Sequence, residues 1–400
     1  MQNIRRIQDD LMYLGVADRN IDLFENMLPT PNGMTYNSYL LLDDKTVLFD
    51  TADAAVDRQF FENLKSGLNG RPLDYLVVHH CEPDHCALIE SALIRYPECK
   101  VITSAKSLTF LGQFGLQLEG RVQTVKEGDV METGRHKLTW IMAPMVHWPE
   151  VMVTYDLTDR ILFSADAFGS FGAVSGNIFN DEVNYERDWL GETRRYYLNI
   201  VGKYGIQVQA VLKKAAALDI KMICPLHGVI WRSSLDYIIS KYNTWSSYEP
   251  EEKGVLILYA SMYGNTESAM NCLATRLAEK GVKEIQMMNV SRKHFSDCLT
   301  AAYQWSHIVL ASPTYNNGIY PMMETLLHDL KDHFWQNRTV TVIGNGTWAP
   351  CSSKLMTDIL SEMKNIRFIQ HDFNLMSSMQ PSQTESLNNL ADAIADSLNN

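Results

Sequence analysis

Short apolar runs separated by turn residues dominate the first part of the chain. Those rich in β-branched and aromatic residues predict strands, and they span 35–42, 45–51, 73–80, 100–105, 137–143, 151–156 and 160–166. Apolar residues at helical spacing predict helices at 86–96 and 187–218. This strand-dominated order with interposed helices predicts a sandwich of sheets flanked by helices.

The pattern changes after a polar stretch at 246–253 that contains Pro250. Apolar strands at 255–261, 284–290, 307–313 and 339–346 then alternate with helices, including 266–280 and 383–398. Strands alternating with helices predict a doubly wound parallel sheet. We therefore expect two α/β domains, at residues 1–250 and 254–400.

Composition narrows the class of protein. Hydrophobic residues make up 46% and charged residues 20% of the 400 residues, as in a globular protein, and the net charge of −12 argues against a nucleic-acid binder. No signal peptide and no apolar run approaching roughly 20 residues is present, so we expect neither export nor a membrane span. Seven cysteines without a CxxC pair predict buried, reduced thiols in a cytoplasmic protein rather than a cysteine metal cage.

Potential metal ligands follow several strands of the first domain. The set contains four imidazoles and three carboxylates: His80, Glu82, Asp84, His85, His147, Asp166 and His227. Seven such ligands are too many for one tetrahedral zinc and suit two metals that share a carboxylate. A mixed set of this kind favours non-haem iron, with zinc and manganese as competitors.

The spacing of the first ligands predicts their orientation. His80, Glu82 and Asp84 alternate, so an extended segment would point all three to one side. His85 breaks this phase. His79 would point the other way, and we expect it either to have a structural role or to support the ligands from behind.

The second domain contains a loop suited to a phosphate group. A strand leads into Ser261-Met262-Tyr263-Gly264-Asn265-Thr266 and then a helix, whose N-terminus can bind an anion. The loop matches neither the dinucleotide motif GxGxxG nor the triphosphatase motif GxxxxGK[ST], and one phosphate loop suffices for FMN. Two later loops also follow strand ends, where ligands bind in this fold. Their candidate residues are Pro313, Thr314, Tyr315, Asn316, Asn317 and Gly318, and Asn345, Gly346, Thr347 and Trp348.

The first domain resembles the metallo-β-lactamase fold, whose hydrolytic members carry HxHxDH. In this chain the motif is His80-x-Glu82-x-Asp84-His85, with a glutamate in place of the second histidine. That replacement is typical of the flavodiiron proteins, also called A-type flavoproteins, and the resemblance spans nearly the whole chain. It implies an N-terminal αββα sandwich joined to a C-terminal flavodoxin-like domain.

The resemblance also implies roles for the site residues. One iron would be held by His80, Glu82 and His147, the other by Asp84, His85 and His227, with Asp166 bridging them. Tyr196 and Tyr197 would lie near the irons, where a hydroxyl could donate a proton or a hydrogen bond.

The phosphate loop resembles the flavodoxin pattern T/S-x-T-G-N-T. Tyr263 replaces a threonine of that pattern, which removes one expected hydroxyl contact with the phosphate. The two later loops would enclose the isoalloxazine ring, with Tyr315 and Trp348 touching it.

The family implies an enzyme that passes electrons from an external donor through FMN to the diiron site. It would reduce dioxygen to water, nitric oxide to nitrous oxide, or both. With no further module after the second domain, the chain resembles the minimal class, whose donor is a separate rubredoxin. A head-to-tail homodimer, or a tetramer built from it, would bring the FMN of one subunit to the irons of the other.

Two alternatives remain at this stage. One is a dinuclear zinc hydrolase of metallo-β-lactamase fold fused to a flavodoxin domain. The other is an electron carrier or redox sensor with an inactive metal site. The first predicts hydrolysis and the second predicts flavin reduction without gas consumption.

Overall fold

The computed structural model describes residues 2–399. They divide into two compact units, the first ending at Asn243 and the second beginning at Thr244. The division falls within the helix Leu235–Ser246, ahead of the polar stretch at 246–253. Every helix among these residues is too short or too polar to cross a bilayer.

Two mixed sheets form the first unit. The larger sheet contains, in spatial order, Arg5–Arg6, Leu11–Tyr13, Tyr39–Leu42, Thr46–Phe49, Tyr75–Val77, Lys100–Ser104 and Val122–Val125. The smaller sheet contains Val130–Glu132, Lys137–Met142, Met152–Asp156, Ile161–Phe163 and Met222–Cys224. The rings of Phe49 and Phe163 stack between the sheets with centroids 3.9 Å apart, as face-to-face packing of two apolar sheet surfaces requires.

Helices accompany the two sheets, which confirms the predicted αββα sandwich. Besides Leu235–Ser246, which begins in the first unit, the α-helices of this unit are Asp57–Leu68, Pro83–Cys86, Ile89–Arg95, Ala105–Gln113, Tyr185–Asp188, Leu190–Tyr196 and Gly205–Ala215. Short 3₁₀ turns lie at Ala54–Val56, Asn180–Glu182 and Gly202–Tyr204. Two small hairpin sheets pair Val16–Asp18 with Met34–Tyr36 and Leu23–Phe24 with Leu28–Pro29.

The single strand predicted at 35–42 is in fact two strands. Met34–Tyr36 belongs to a small sheet and Tyr39–Leu42 to the large one. Between them, the buried Asn37 side chain donates hydrogen bonds to the carbonyls of Pro225 and Gly228. The chain turns here because this amide holds the loop that carries His227, an interaction that strand periodicity does not reveal.

The long helix predicted at 187–218 is also divided. Leu190–Tyr196 continues as a π-helical turn at Tyr197–Val201, then a 3₁₀ turn, and then Gly205–Ala215. A π turn contains one residue more than an α turn, and such turns are frequent at functional sites. Apolar spacing predicts that a segment is helical but not the width of its turns.

The second unit is a doubly wound parallel sheet, as predicted. Its spatial order is Ile285–Asn289, Glu252–Tyr259, Trp305–Tyr315, Arg338–Asn345 and Ile366–Phe368, with Gly318–Ile319 pairing antiparallel to the third of these. This is the 2-1-3-4-5 order of flavodoxin-like folds. The helices are Asn265–Glu279, Phe295–Gln304, Pro321–Asp332, Ser352–Ser361 and Thr384–Asn399, with a 3₁₀ turn at Pro381–Gln383.

The seven cysteines are all free. Five are buried, but Cys272 is exposed and Cys351 is half-buried, so the expectation of uniformly buried thiols is wrong for these two. Cys272 lies on the helix Asn265–Glu279. A helix of a doubly wound fold has one solvent face, and a small residue there need not be buried.

One buried histidine of the second unit makes stability depend on pH. Burial, reinforced by Arg367 and Lys253, lowers the pKa of His307 from 6.5 to about 4. The unfolded chain therefore binds a proton between these values that the folded chain does not, and stability is lost as the pH falls from 6.5 to 4. We expect a loss on the order of 2–3 kcal/mol across this range.

Urea unfolding, followed by tryptophan fluorescence, measures this effect. The variant His307→Gln should show a flatter acid dependence than the unchanged protein. If the free energy of unfolding changed equally with pH in the two proteins, His307 would not be the group responsible.

Candidate metal centre and flavin pocket

The structure brings all seven predicted metal ligands together. Each lies in a loop or helix start shortly after a strand, and every one is less than 9% exposed. Their ligand atoms form two groups, each compact enough for one metal ion. The groups are His80, Glu82, His147 and Asp166, and Asp84, His85 and His227.

The first group is arranged around two carboxylate oxygens. Glu82 Oε2 lies 3.2 Å from His80 Nε2 and 3.1 Å from His147 Nε2. Asp166 Oδ2 lies 3.4 Å and 3.1 Å from the same two nitrogens. Ligands about 2.1 Å from one ion at right angles are roughly 3.0 Å apart, so these spacings suit one shared cation.

The second group has the same kind of geometry. His85 Nε2 and His227 Nε2 are 3.0 Å apart, and Asp84 Oδ2 lies 3.1 Å and 3.3 Å from them. The other oxygen of Asp166, Oδ1, lies 3.3 Å from His85 Nε2 and 3.6 Å from His227 Nε2. One Asp166 oxygen thus faces each group, the arrangement of a bridging carboxylate.

The predicted alternation of His80, Glu82 and Asp84 along an extended segment is wrong. The strand ends at Val77 and a helix begins at Pro83, with Glu82 as its N-cap residue. Because the backbone turns at this point, Glu82 joins the group of His80 and Asp84 joins the other group. Proline at the first helical position favours this start.

The charge balance of the site fits two cations. Among the described residues, the ion-pair partners of Glu82, Asp84 and Asp166 are all histidines. Both Asp84 oxygens and Asp166 Oδ1 are buried and accept no hydrogen bond from any described residue. Buried carboxylates are costly unless a cation compensates them, and metals meet this need with the free lone pairs.

The pKa shifts have the same electrostatic cause. Burial alone would raise the pKa of Asp166, but His80, His147 and His85 hold it well below its usual range. Burial would lower the pKa of His85, yet Asp84 and Asp166 raise it to about 10. The negative potential that favours protonated imidazoles equally favours a metal cation between them, since proton and metal compete for the same lone pairs.

Contacts behind the ligands orient two imidazoles. Glu150 Oε1 accepts hydrogen bonds from His80 Nδ1 at 2.8 Å and from the Cys81 N–H at 3.0 Å. The Thr35 carbonyl accepts one from His227 Nδ1 at 2.8 Å. Such contacts leave Nε2 free as the ligand atom. The sequence interpretation missed Glu150, and no local motif marks it.

His79 has the structural role expected of it. Its Nδ1 contacts Asp50 and its Nε2 lies 2.7 Å from the Thr154 hydroxyl, away from both ligand groups. This pair of contacts joins the two sheets. A neighbouring histidine on the same strand end is therefore part of the scaffold.

Glu25 is a second residue that the sequence interpretation missed. It lies at the turn between Leu23–Phe24 and Leu28–Pro29, and Phe24 packs edge-on against His227. The residue as a whole is exposed, and its carboxyl group lies near enough to that of Glu82 for the two charges to interact. Burial of the carboxyl and the adjacent Glu82 charge raise the pKa of Glu25 to about 7.

The structure distinguishes the two candidate tyrosines. The Tyr196 ring lies 5.4 Å from the His227 ring, whereas the Tyr197 ring packs on Tyr242 at 4.8 Å. Burial and the charges of Asp166, Asp84 and Glu82 raise the pKa of Tyr196 well above its usual value, so its hydroxyl stays protonated. Within residues 2–399 that hydroxyl has no hydrogen-bond partner, which leaves it available to a molecule at the metal groups.

Gly169 permits this approach of Tyr196. A Cβ at Gly169 would lie 3.0 Å from the Tyr196 ring and 2.9 Å from the Asp166 carbonyl. Contacts that short require one neighbour to move. The absence of a side chain at residue 169 thus lets the tyrosine pack beside the bridging carboxylate.

Changing Tyr196 to Phe should lower turnover by about tenfold to hundredfold, because a buried donor facing the metal groups is lost. Metal content and FMN content should be unchanged. Tyr197→Phe is the matched control and should retain most of its activity. Equal losses of steady-state turnover in the two variants would contradict this distinction.

The predicted flavin residues surround a cavity of about 550 Å³ in the second unit. Every predicted residue lines it except Gly264 and Gly318, and Ser377 is an additional lining residue. The volume is in the range of cofactor pockets. Ser377 was missed because it follows the last strand by several residues and belongs to no recognised loop pattern.

One end of this pocket is built for an anion. Gly264 adopts φ +89° and precedes the helix Asn265–Glu279. Ser261 Oγ accepts hydrogen bonds from the N–H groups of Gly264 and Glu267 at 3.1 Å and 3.3 Å, which fixes the loop. A helix N-terminus with free N–H groups favours a phosphate.

The other walls suit a planar ring. Asn345 donates to Thr266 Oγ1 and to the Ser377 carbonyl, which ties the phosphate loop to the later loops. Tyr263 and Trp348 are 91% and 78% exposed at the rim. Large apolar faces in solvent are costly, and a stacked flavin ring would cover such a face.

Comparisons with known proteins agree with the fold of both units. Residues 34–228 match the family model described as ODP family beta lactamase, and residues 257–381 match Flavodoxin. An anaerobic nitric oxide reductase flavorubredoxin of Aeromonas hydrophila is 30% identical over 348 residues, 86% of this chain and 70% of that one. An uncharacterized protein of Methanocaldococcus jannaschii is 31% identical over 370 residues, which cover 91% of this chain and 90% of that one.

Solved structures give the same result. The rubredoxin oxygen:oxidoreductase of Desulfovibrio gigas superposes with a TM-score of 0.91 at 28% identity, over 99% of this chain and 98% of that one. A mutant flavo di-iron protein from Thermotoga maritima gives 0.89 at 26% identity, with the same coverage.

Together the fold, the two ligand groups and these matches define an FMN-containing oxidoreductase with a diiron centre. The chain belongs to the flavodiiron proteins.

Proposed function

We propose that this protein takes electrons from a rubredoxin-type donor and uses them to reduce dioxygen, nitric oxide or both. The products would be water and nitrous oxide, respectively. Rubredoxin and oxygen appear in the name of the Desulfovibrio gigas relative, and nitric oxide in that of the Aeromonas hydrophila relative.

The observation that carries the proposal is the position of Asp166. Its two oxygens face separate ligand groups, each with two imidazoles and a further carboxylate. This arrangement supports two adjacent metal ions that share one carboxylate. The presence of three carboxylates in the set favours iron over zinc.

Each residue then has a definite task. We assign His80, Glu82 and His147 to one iron, and Asp84, His85 and His227 to the other. When bound, FMN and the iron pair supply electron storage and open coordination positions for a small oxidant. Tyr196 holds a proton beside these positions, and Glu150 keeps His80 in the tautomer that presents Nε2.

The functional unit is proposed to be a head-to-tail homodimer, alone or doubled to a tetramer, in which each FMN serves the irons of the other subunit.

Mixed dimers of two inactive variants test this assembly. His147→Asn removes a metal ligand, and Gly264→Val disrupts the FMN loop. Activity should reappear in a co-expressed mixture, because each mixed dimer retains one intact cofactor pair across the subunits. A mixture as inactive as its parents would contradict this assembly.

Steady-state consumption of dioxygen and of nitric oxide tests the reaction itself. Protein loaded with iron and FMN should consume at least one of these gases in the presence of reduced rubredoxin. The ratio of the two kcat/KM values would establish the preference. Flavin reduction without consumption of either gas would refute the proposal and favour an electron carrier.

A further inference from the structure

A second cavity lies beside the metal-binding loops in the first unit. It opens between the helix Gly205–Ala215 and the outer face of the smaller sheet. Val208, Val211 and Leu212 form its helical wall, and Ile141, Val153 and Leu162 form its sheet wall. About 30 Å³ is open to the centre of a water-sized molecule, enough for one small guest.

The lining of this cleft includes residues next to two proposed ligands. Val146 immediately precedes His147, and Ser164 and Ala167 flank Asp166. Val146, Val153 and Val208 are buried. Val211 and Leu212 are half-buried toward the outside. The cleft therefore has half-buried residues on its helical wall and lies against buried residues next to the loops that hold the metal groups.

The walls of the cleft have few polar groups that could hydrogen-bond to water. Ser164 Oγ donates to the Ala167 carbonyl at 2.7 Å, and Tyr242 Oη accepts from the Phe168 N–H at 2.6 Å. The polar atoms of the lining are thus engaged with each other, and the remaining lining side chains are hydrocarbon or aromatic. A cavity of this kind disfavours water, which needs two to four polar partners, and accepts apolar guests such as xenon.

We propose that this cleft is a binding site for a small apolar diatomic gas, on the route to the metal centre. The inference rests on the proposed reduction of dioxygen or nitric oxide, since both are uncharged diatomics that dissolve well in apolar surroundings. A dry cleft beside the ligand loops would raise the local concentration of such a molecule while excluding ions. It needs no chemical step of its own.

Xenon reports on this site independently of catalysis. Crystals of the iron- and FMN-loaded protein under xenon pressure should show a xenon atom between Val153, Val211 and Leu212. Absence of xenon there would overturn the proposal. Because xenon binding needs no turnover, it can succeed even if the protein consumes neither gas, which would refute the reaction and not the site.

A filled cleft tests the route. Val211→Phe should abolish the xenon peak and raise the KM for the gas about threefold or more, with kcat and the rate of FMN reduction unchanged. Val130→Phe is the matched control, since Val130 is 56% exposed on an edge strand of the same sheet. If Val211→Phe does not fold, Ile141→Phe fills the opposite wall. Loss of xenon with no change in KM would show that the cleft is not on the route.

Discussion

Replacing His147 by asparagine should abolish gas consumption and leave FMN bound. His147 Nε2 lies 3.1 Å from both Glu82 Oε2 and Asp166 Oδ2. Its loss therefore removes one of the two imidazole ligands of the first group. Removing a residue that hydrogen-bonds a metal ligand typically lowers metal affinity or activity about 10–100-fold, and removing a ligand itself should lower activity more than about 100-fold. Gas consumption at saturating donor and FMN absorbance measure these two effects, and metal content shows whether the ligand loss releases metal.

His136→Asn provides the matched control. His136 is 1% exposed in the same unit, and it contacts Asp156 and Asp10 rather than either ligand group. This variant should retain its metals and its turnover, though it should be less stable. Full activity in His147→Asn would show that the ligand assignment is wrong.

Replacing Gly264 by valine should release FMN. Gly264 adopts φ +89° at the start of the helix behind the phosphate loop, and a β-branched residue there costs about 1–3 kcal/mol. If the strain is relieved by moving the loop, FMN affinity falls roughly 10–100-fold, since 1.4 kcal/mol corresponds to tenfold. Fluorescence titration of the apoprotein with FMN measures the dissociation constant.

Gly281→Val separates this effect from general strain. Gly281 has φ +86° just beyond the other end of the same helix, and like Gly264 it has open space where a Cβ would lie. The two variants should lose similar stability, but only Gly264→Val should lose FMN. Equal affinities in the two variants would contradict the phosphate-loop assignment.

The sequence predicted much of the architecture because its signals are local. Unbroken apolar strands alternating with helices predict a parallel sheet after residue 254, and the observed strand order is that of a flavodoxin. The types and order of the ligands in the first unit likewise predicted that seven side chains would meet, and they do. The reason is that strand ends in a layered fold place their loops at common edges.

The parts that failed depend on contacts between distant segments. Asn37 divides the first predicted strand because its amide bonds to Pro225 and Gly228. The extended course expected for His80, Glu82 and Asp84 is wrong because a helix begins at Pro83, although the family resemblance correctly implied separate metal groups for Glu82 and Asp84. Neither effect is visible in the local pattern of apolar and polar residues.

The missed site residues have the same origin. Glu150 contacts His80 from the loop that precedes the strand Met152–Asp156, and Glu25 lies near Glu82 on a hairpin close to the N-terminus. Only the folded arrangement brings a carboxylate at residue 25 or 150 to the metal ligands. Single-sequence reasoning finds the ligands more readily than the groups that orient them.

The metal content of the protein, purified after growth with ample iron, tests the central claim most directly. Elemental analysis should find two iron atoms per chain, with fewer in His147→Asn. Two zinc atoms per chain, accompanied by ester hydrolysis, would contradict the diiron assignment and identify a hydrolase.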